Sequence, residues 1–149
     1  MSSILTVENL TKNYGKVLAV DNISFEIEEG LCFGLLGPNG AGKTTTIEMM
    51  EGILKPTSGR TLFRGKPIGS HFNERVGIQF QSTALQDFIT VEETLKLFSA
   101  LYAAHRDLDE VIDICSLDDI LKRDNRKLSG GQRQRLLLAL ALVNDPEMV

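Results

Sequence analysis

The residues with the clearest chemical reading are Gly37-Pro38-Asn39-Gly40-Ala41-Gly42-Lys43-Thr44, which fit the pattern G-x-x-x-x-G-K-[ST]. The residue types explain the pattern. Glycines such as Gly40 and Gly42 let backbone N–H groups turn inward and approach phosphate oxygens closely. A helix starting at Lys43 adds its positive N-terminal end. Lys43 can reach the β- and γ-phosphates as a point charge, and the Thr44 hydroxyl can ligate magnesium. Gly37, Asn39, Gly40, Ala41, Gly42, Lys43 and Thr44 are therefore expected to hold a nucleoside triphosphate and Mg2+. The bland alternative is a Gly-rich strand-to-helix turn with no ligand. By itself the loop says only nucleotide triphosphatase or kinase.

A second segment, Leu128-Ser129-Gly130-Gly131-Gln132, narrows the choice. Locally it reads as a helix start, with Ser129 as N-cap and Gln132 completing a capping box. A helix end preceded by a Gly-Gly pair also turns N–H groups toward an anion. Because the first loop already provides a phosphate site, a second phosphate-binding helix end makes sense if it serves a nucleotide held by another copy of the domain.

The elements that must position these residues follow from periodicity. Ile4 to Leu10 and Val17 to Ile27 alternate apolar and polar residues around a Tyr14-Gly15-Lys16 turn, as strands of an antiparallel region do. Leu31 to Leu36 runs apolar without alternation and predicts a strand buried on both faces of a parallel sheet. Lys43 to Ile53 predicts a helix with Ile47, Met50 and Ile53 on its apolar side, and Met49 and Met50 as core filler. Pro56 to Gly59 marks a turn, Thr61 to Arg64 and Val76 to Gln81 read as short strands, and Gly65 to Glu74 as a loop. Thr90 and Glu93 form a capping box ahead of a face of Val91, Leu95, Phe98 and Tyr102. Further helices are expected over Leu108 to Cys115 and from Ser129 to about Asn144, the latter apolar on every side from Leu136 to Val143. The sum is a mixed α/β domain with an inserted helical lobe.

Composition sets outer limits. The chain has 149 residues, 42% hydrophobic and 24% charged, with 16 Lys+Arg, 20 Asp+Glu and a net charge of -4. That size supports one core without disulfides or metal. The acidic balance argues against a nucleic-acid surface, and Asp118, Asp119 and Asp124 interleave with Lys122, Arg123, Arg126, Lys127, Arg133 and Arg135, as on a solvated helical face. Cys32 and Cys115 lack metal-ligand spacing and are each expected to be small buried hydrophobes. His71 and His105 are expected at the surface. No apolar run reaches the ~20 residues of a membrane span, and the N-terminus does not read as a signal peptide, so a cytosolic setting is expected.

At Leu128-Ser129-Gly130-Gly131-Gln132 the sequence resembles the ATP-binding cassette family, the nucleotide-binding domains of ABC transporters, and the resemblance spans essentially the whole chain. The stretch Thr44 to Gly52 looks like the multidrug/ABC-2-type subgroup that energises exporters. The resemblance implies a P-loop NTPase core (about 1–88 and 136–149) with an N-terminal antiparallel β region and a helical lobe (about 89–135). It implies that Tyr14 stacks on adenine and that Thr45 meets the α-phosphate. Gln81 would contact magnesium and the attacking water and signal nucleotide state to a membrane subunit. Ser129, Gly130, Gly131 and Gln132 would face the γ-phosphate of ATP on an opposing protomer. In isolation, Tyr14 could instead be a turn aromatic packed on the sheet, and Gln81 a strand-end polar residue facing water.

Partners implied by the resemblance are a second copy, head to tail, and a transmembrane permease at the inner face of the cell membrane. The family's acidic strand, with its magnesium-linked Asp and catalytic Glu, and its switch histidine are not among these residues. Asp145 and Glu147 precede the position of that strand and do not replace its carboxylates. The expectation is an incomplete cassette that retains at most weak nucleotide binding, shows no significant hydrolysis and, taken alone, aggregates or stays partly molten. Full-length, it would be an ATP hydrolase coupled to export. A soluble non-transport ATPase of the same family and a truncated non-catalytic nucleotide-binding module are the alternatives.

Overall fold

The computed structural model describes residues 2–79 and 84–149, which form two compact units, Met1–Phe72 and Asn73–Val149. The first unit is built on a four-stranded antiparallel sheet of order β2-β1-β3-β4. Strand β1 (Ser3–Tyr14) returns as β2 (Val17–Glu28) through a two-residue turn whose Gly15 has φ +63°, the left-handed conformation a type II′ hairpin needs at its first position. Helix α1 (Lys43–Met50) follows, then β3 (Ser58–Phe63) and β4 (Lys66–Pro67), and α2 (Ser70–Asn73) comes last. Leu5 and Val7 of β1 are buried two residues apart, and Leu10 is buried beyond an irregularity at Asn9 (φ +48°), where the register shifts. Met49 of α1 packs there with Val7, Leu10 and Val20.

Several expectations for this unit need correction. Leu31 to Leu36 forms no strand; it runs extended with Leu31, Phe33 and Leu36 exposed and Phe33 stacked on Phe25, ring centroids 5.1 Å apart. Among the described residues no strand lies alongside to take its N–H and C=O groups; the Leu31 N–H donates back to the Glu28 carbonyl at 3.4 Å, and the Phe33 ring packs on Phe25. Cys32 lies in this segment and is exposed, not buried. The expected loop from Gly65 contains β4 and α2, because Arg64 (φ +48°) and Gly65 (φ +75°) make the paired left-handed turn of a tight hairpin.

Helix α1 is shorter and rotated relative to its sequence reading. It stops at Met50 because Gly52 (φ +76°) turns left-handed and lets the Ile53 and Leu54 N–H groups bond the Glu48 carbonyl, both at 3.0 Å. The buried positions are Thr46 and Met49, while Ile47 and Ile53 are exposed. Thr46 tolerates burial because its hydroxyl donates to the Gly42 carbonyl at 2.9 Å.

The second unit is helical: α3 (Val91–Ser99), α4 (Leu108–Ile114), two short 3-10 turns at Asp118–Ile120 and Asn125–Lys127, and α5 (Gly130–Leu142). Leu136, Leu137, Ala139 and Leu140 of α5 pack with Val91, Leu95, Val111, Leu117 and Ile120, and Phe98 and Tyr102 flank this cluster as the α3 periodicity predicts. The all-round burial expected of Leu136 to Val143 fails at Leu138, which is exposed, and is only partial at Leu142. Cys115 is buried, and desolvation raises its thiol pKa.

The strand expected from Val76 to Gln81 is reduced to one parallel bridge, Val76 to Met148, with Gly77 N–H donating to the Met148 carbonyl at 2.8 Å. Gly77 lies against the α5 backbone, where a Cβ would collide with the Ala141 carbonyl. Gln81 lies outside the described residues. Among them, no helix is long and apolar enough to cross a membrane.

Candidate functional site

In the first unit the Gly37-to-Thr44 loop runs into the N-terminus of α1. Gly40 (φ +83°) and Gly42 (φ +82°) both hold left-handed backbone, but for different reasons. A Cβ on Gly40 would meet open space, whereas one on Gly42 would strike the Ala19 carbonyl of β2 and sit 3.2 Å from Val20 Cγ2. Gly42 thus fixes the loop onto the sheet, and Gly40 keeps its outer side clear. Gly37, Asn39, Gly40 and Ala41 are all exposed.

Gly42 is also the N-cap of α1 and has no side chain to cap it. The first helical bond is Thr46 N–H to Gly42 O, 2.8 Å, so the N–H groups of Lys43, Thr44 and Thr45 precede the ladder. The other long helices are closed at this end: Thr90, Asp107 and Ser129 each accept N–H groups of α3, α4 and α5. The uncapped amides of α1, the Gly turns and an ammonium suit an anion with several oxygens. Lys43 Nζ donates to the Gly37 and Pro38 carbonyls, both 2.7 Å, which keeps the ammonium on the loop. Thr44 is exposed and Thr45 half-buried.

An open cleft of about 490 Å³ beside the loop is lined by, among others, Val20, Asp21, Leu36, Ala41, Lys43 and Thr46. Thr46 belongs to the loop's surroundings although the sequence pattern stops at Thr44. Tyr14, at the end of β1, is half-exposed, and the Lys12 ammonium lies 5.2 Å from its ring centroid while donating to the Lys55 carbonyl at 2.7 Å. Lys12 was not singled out from the sequence; its place two residues before Tyr14 on the same strand face was the available signal.

In the second unit, Ser129 Oγ accepts the Gln132 N–H at 3.2 Å and Gln132 Oε1 accepts the Ser129 N–H at 3.0 Å, the reciprocal box read from the sequence. Gly130 and Gly131 are exposed, neither has positive φ, and a Cβ on either would meet nothing within 4 Å. Among the described residues, neither packing nor backbone conformation requires glycine at these two positions. Of the basic residues nearby, Arg126 pairs with Asp124 and Arg135 with Ser116 O and Asp119, as a solvated helical surface requires. Asp145 and Glu147 are ion-paired with Arg106 and Arg75. His105 is exposed as expected, whereas His71 is half-buried.

Residues 20–149 match the protein family described as ABC transporter. This chain belongs to the ABC transporter family. Among its relatives are two proteins named Nod factor export ATP-binding protein I. The one from Cupriavidus metallidurans is 39% identical over 158 residues, covering 100% of this chain and 52% of that protein. The one from Ralstonia nicotianae is 38% identical, covering 98% and 48%. Among solved structures, cbiO1 from Clostridium perfringens, part of the ABC transporter complex cbiONQ, superposes with a TM-score of 0.84 at 32% identity, over 98% of this chain and 63% of that one. The dimeric ABC transporter cassette MJ0796 gives 0.80 at 26%, over 95% and 70%. The ABC chain described here thus spans about half the length of the curated relatives it matches. Its α/β fold, with an antiparallel sheet and a helical unit, is that of the ATP-binding cassettes.

Proposed function

We propose that this chain is the nucleotide-binding part of an ABC export ATPase. The observation that carries the reading is the end of α1: a helix N-terminus opened by Gly42 without a side-chain cap, behind left-handed glycines, with Lys43 at its first position. ATP is the family's nucleotide. The loop amides and Lys43 would hold its β- and γ-phosphates, Thr45 its α-phosphate, and Tyr14 its adenine; Thr44 and Gln81 would ligate Mg2+. The bound metal neutralises phosphate charge.

Ser129, Gly130, Gly131 and Gln132 would meet the γ-phosphate of ATP held by a second copy, and the open glycines support that approach. Lys43 and Gln81 are the catalytic candidates, the first by countering charge on the γ-phosphate and the second by orienting water. Export rests on the names of the relatives, both export ATP-binding proteins; a place on a permease at the inner face of a membrane rests on the family resemblance, and is supported by cbiO1 being part of a transporter complex. The drug-exporter subgroup rests on the Thr44 to Gly52 resemblance. Taken alone, the 149 residues would retain at most weak nucleotide binding, without steady turnover.

Equilibrium binding of a fluorescent ATP analogue tests the reading. Binding that is lost in Lys43→Ala and weakened in Tyr14→Ala is expected; binding indifferent to Lys43 would refute it. Co-fractionation with membranes separates the transporter subunit from a soluble ATPase of the same family.

A further inference from the structure

Asn125 lies where the segment following Gln81 meets the turn that opens α5, and we infer that it is a positioning residue for the phosphate-facing end of that helix. The inference rests on the two-protomer reading above. The two segments are zipped by backbone bonds: Thr90 bridges Asp124, Val91 N–H donates to Arg123 O at 3.1 Å, Glu92 N–H to Leu121 O at 3.0 Å, and Asn125 N–H to Ile89 O at 3.1 Å. Asn125 then adds its side chain. It is 3% exposed, and its amide nitrogen donates to the Gln86 carbonyl at 3.1 Å and to Thr94 Oγ1 at 2.8 Å. Thr94 is itself buried and donates to the Thr90 carbonyl at 2.8 Å. An apolar side chain would fill this space without the cost of burying an amide, whose Oδ1 is unpartnered. What the amide supplies is a fixed attachment of residues 86–94 to the turn.

The outer side of the same junction is clamped as well. Phe88 is 75% exposed and held at φ +63°, a conformation a bulky residue adopts only where its surroundings impose it. The Arg126 guanidinium lies 3.8 Å from its ring centroid and also pairs with Asp124 through Nε at 3.1 Å and Nη2 at 3.0 Å. The Lys127 N–H closes the turn on Asp124 O at 2.9 Å, and Leu128 leads directly into the Ser129 cap. Residues 86–90 and 124–128 are therefore tied from both sides, and a shift of the first segment carries Ser129 and its glycines with it.

The test uses Asn125→Asp, which keeps the shape and removes both donors, in the purified protein. Three quantities are read: ATP affinity of a single protomer, the ATP concentration at half-maximal dimerisation, and amide exchange at Gln132 with Glu110 as internal reference. Loss of two buried hydrogen bonds should raise the dimerisation midpoint about tenfold while single-protomer affinity stays within about twofold. Exchange at Gln132 should quicken and that at Glu110 should not. A purely structural Asn125 would lower melting temperature with no separate effect on dimerisation or on Gln132, and that result overturns the inference. If Asn125→Asp does not fold, Phe88→Gly on the exposed side should give the same pattern at smaller size, and an unchanged midpoint and unchanged Gln132 exchange overturn it equally. If the wild-type protein neither binds ATP nor dimerises, the proposed function fails instead, and exchange at Gln132 still decides for or against Asn125.

Discussion

Gly40 and Gly42 offer a controlled comparison, because their φ values are +83° and +82° while their surroundings differ. Replacing either by Ala places a Cβ in the left-handed region at a cost of about 1–2 kcal/mol. That cost is common to both and cancels in the difference. At Gly40 nothing stands within 4 Å of the new atom; at Gly42 it meets the Ala19 carbonyl, which β2 holds in place, and Val20 Cγ2. Overpacking against backbone adds about 2 kcal/mol. For a chain of this size that lowers Tm by roughly 4–8 °C more for Gly42→Ala than for Gly40→Ala. Circular dichroism melts of the two variants measure it directly. Gly40→Ala should nonetheless weaken ATP binding, since it obstructs the open side of the loop. Equal melting temperatures, or a lower one for Gly40→Ala, would refute the division of labour between the two glycines.

Other perturbations have similarly defined outcomes. Ser129→Ala should cost about 1 kcal/mol of stability through loss of the α5 cap, read by urea unfolding, with no effect on ATP affinity in a single protomer. Leu136→Ala, fully buried in the helical cluster, should cost about 2–5 kcal/mol in the same assay. Asp124, which accepts side-chain and backbone bonds from Arg126, and Glu93, which accepts from Thr90, both have pKa values below the ordinary carboxylate range. Each therefore contributes stability in full above the unfolded-state pKa of about 4, and loses it as pH falls through the lowered folded value. Acid titration followed by amide exchange should accordingly loosen the α3 cap and the Asp124 turn only on the acid side of that range.

The features legible in the sequence are those fixed by contacts within a few residues. The capping boxes Thr90/Glu93 and Ser129/Gln132 form as read, because cap and partner lie on one turn of chain. The β1–β2 hairpin follows from its Gly turn. The conformation of Leu31 to Leu36 is not legible in the sequence, because apolarity reports a preference for burial on both faces and cannot supply the neighbouring strands that satisfy it. The register of α1 is not legible from apolar spacing, because Thr46 becomes buriable only when its hydroxyl finds the Gly42 carbonyl, and because Gly52 ends the helix by turning left-handed. At the candidate site, the loop residues were visible from glycine spacing alone. Lys12 and Asn125 were not, since each acts through partners distant in sequence: Lys55 O for one, Gln86 O for the other.

The central claim is that one protomer's loop and another's Ser129-to-Gln132 helix end complete a single ATP site. Mixing two defective variants, Lys43→Ala and Ser129→Arg, tests it, with trapped ATP as the readout. Each variant alone should trap none. In a two-fold dimer, random pairing restores one intact site in half of the assemblies, so the mixture should recover about a quarter of the wild-type sites. If both groups served the same protomer's nucleotide, no pairing could restore a site, and a mixture as inactive as its parents would contradict the account.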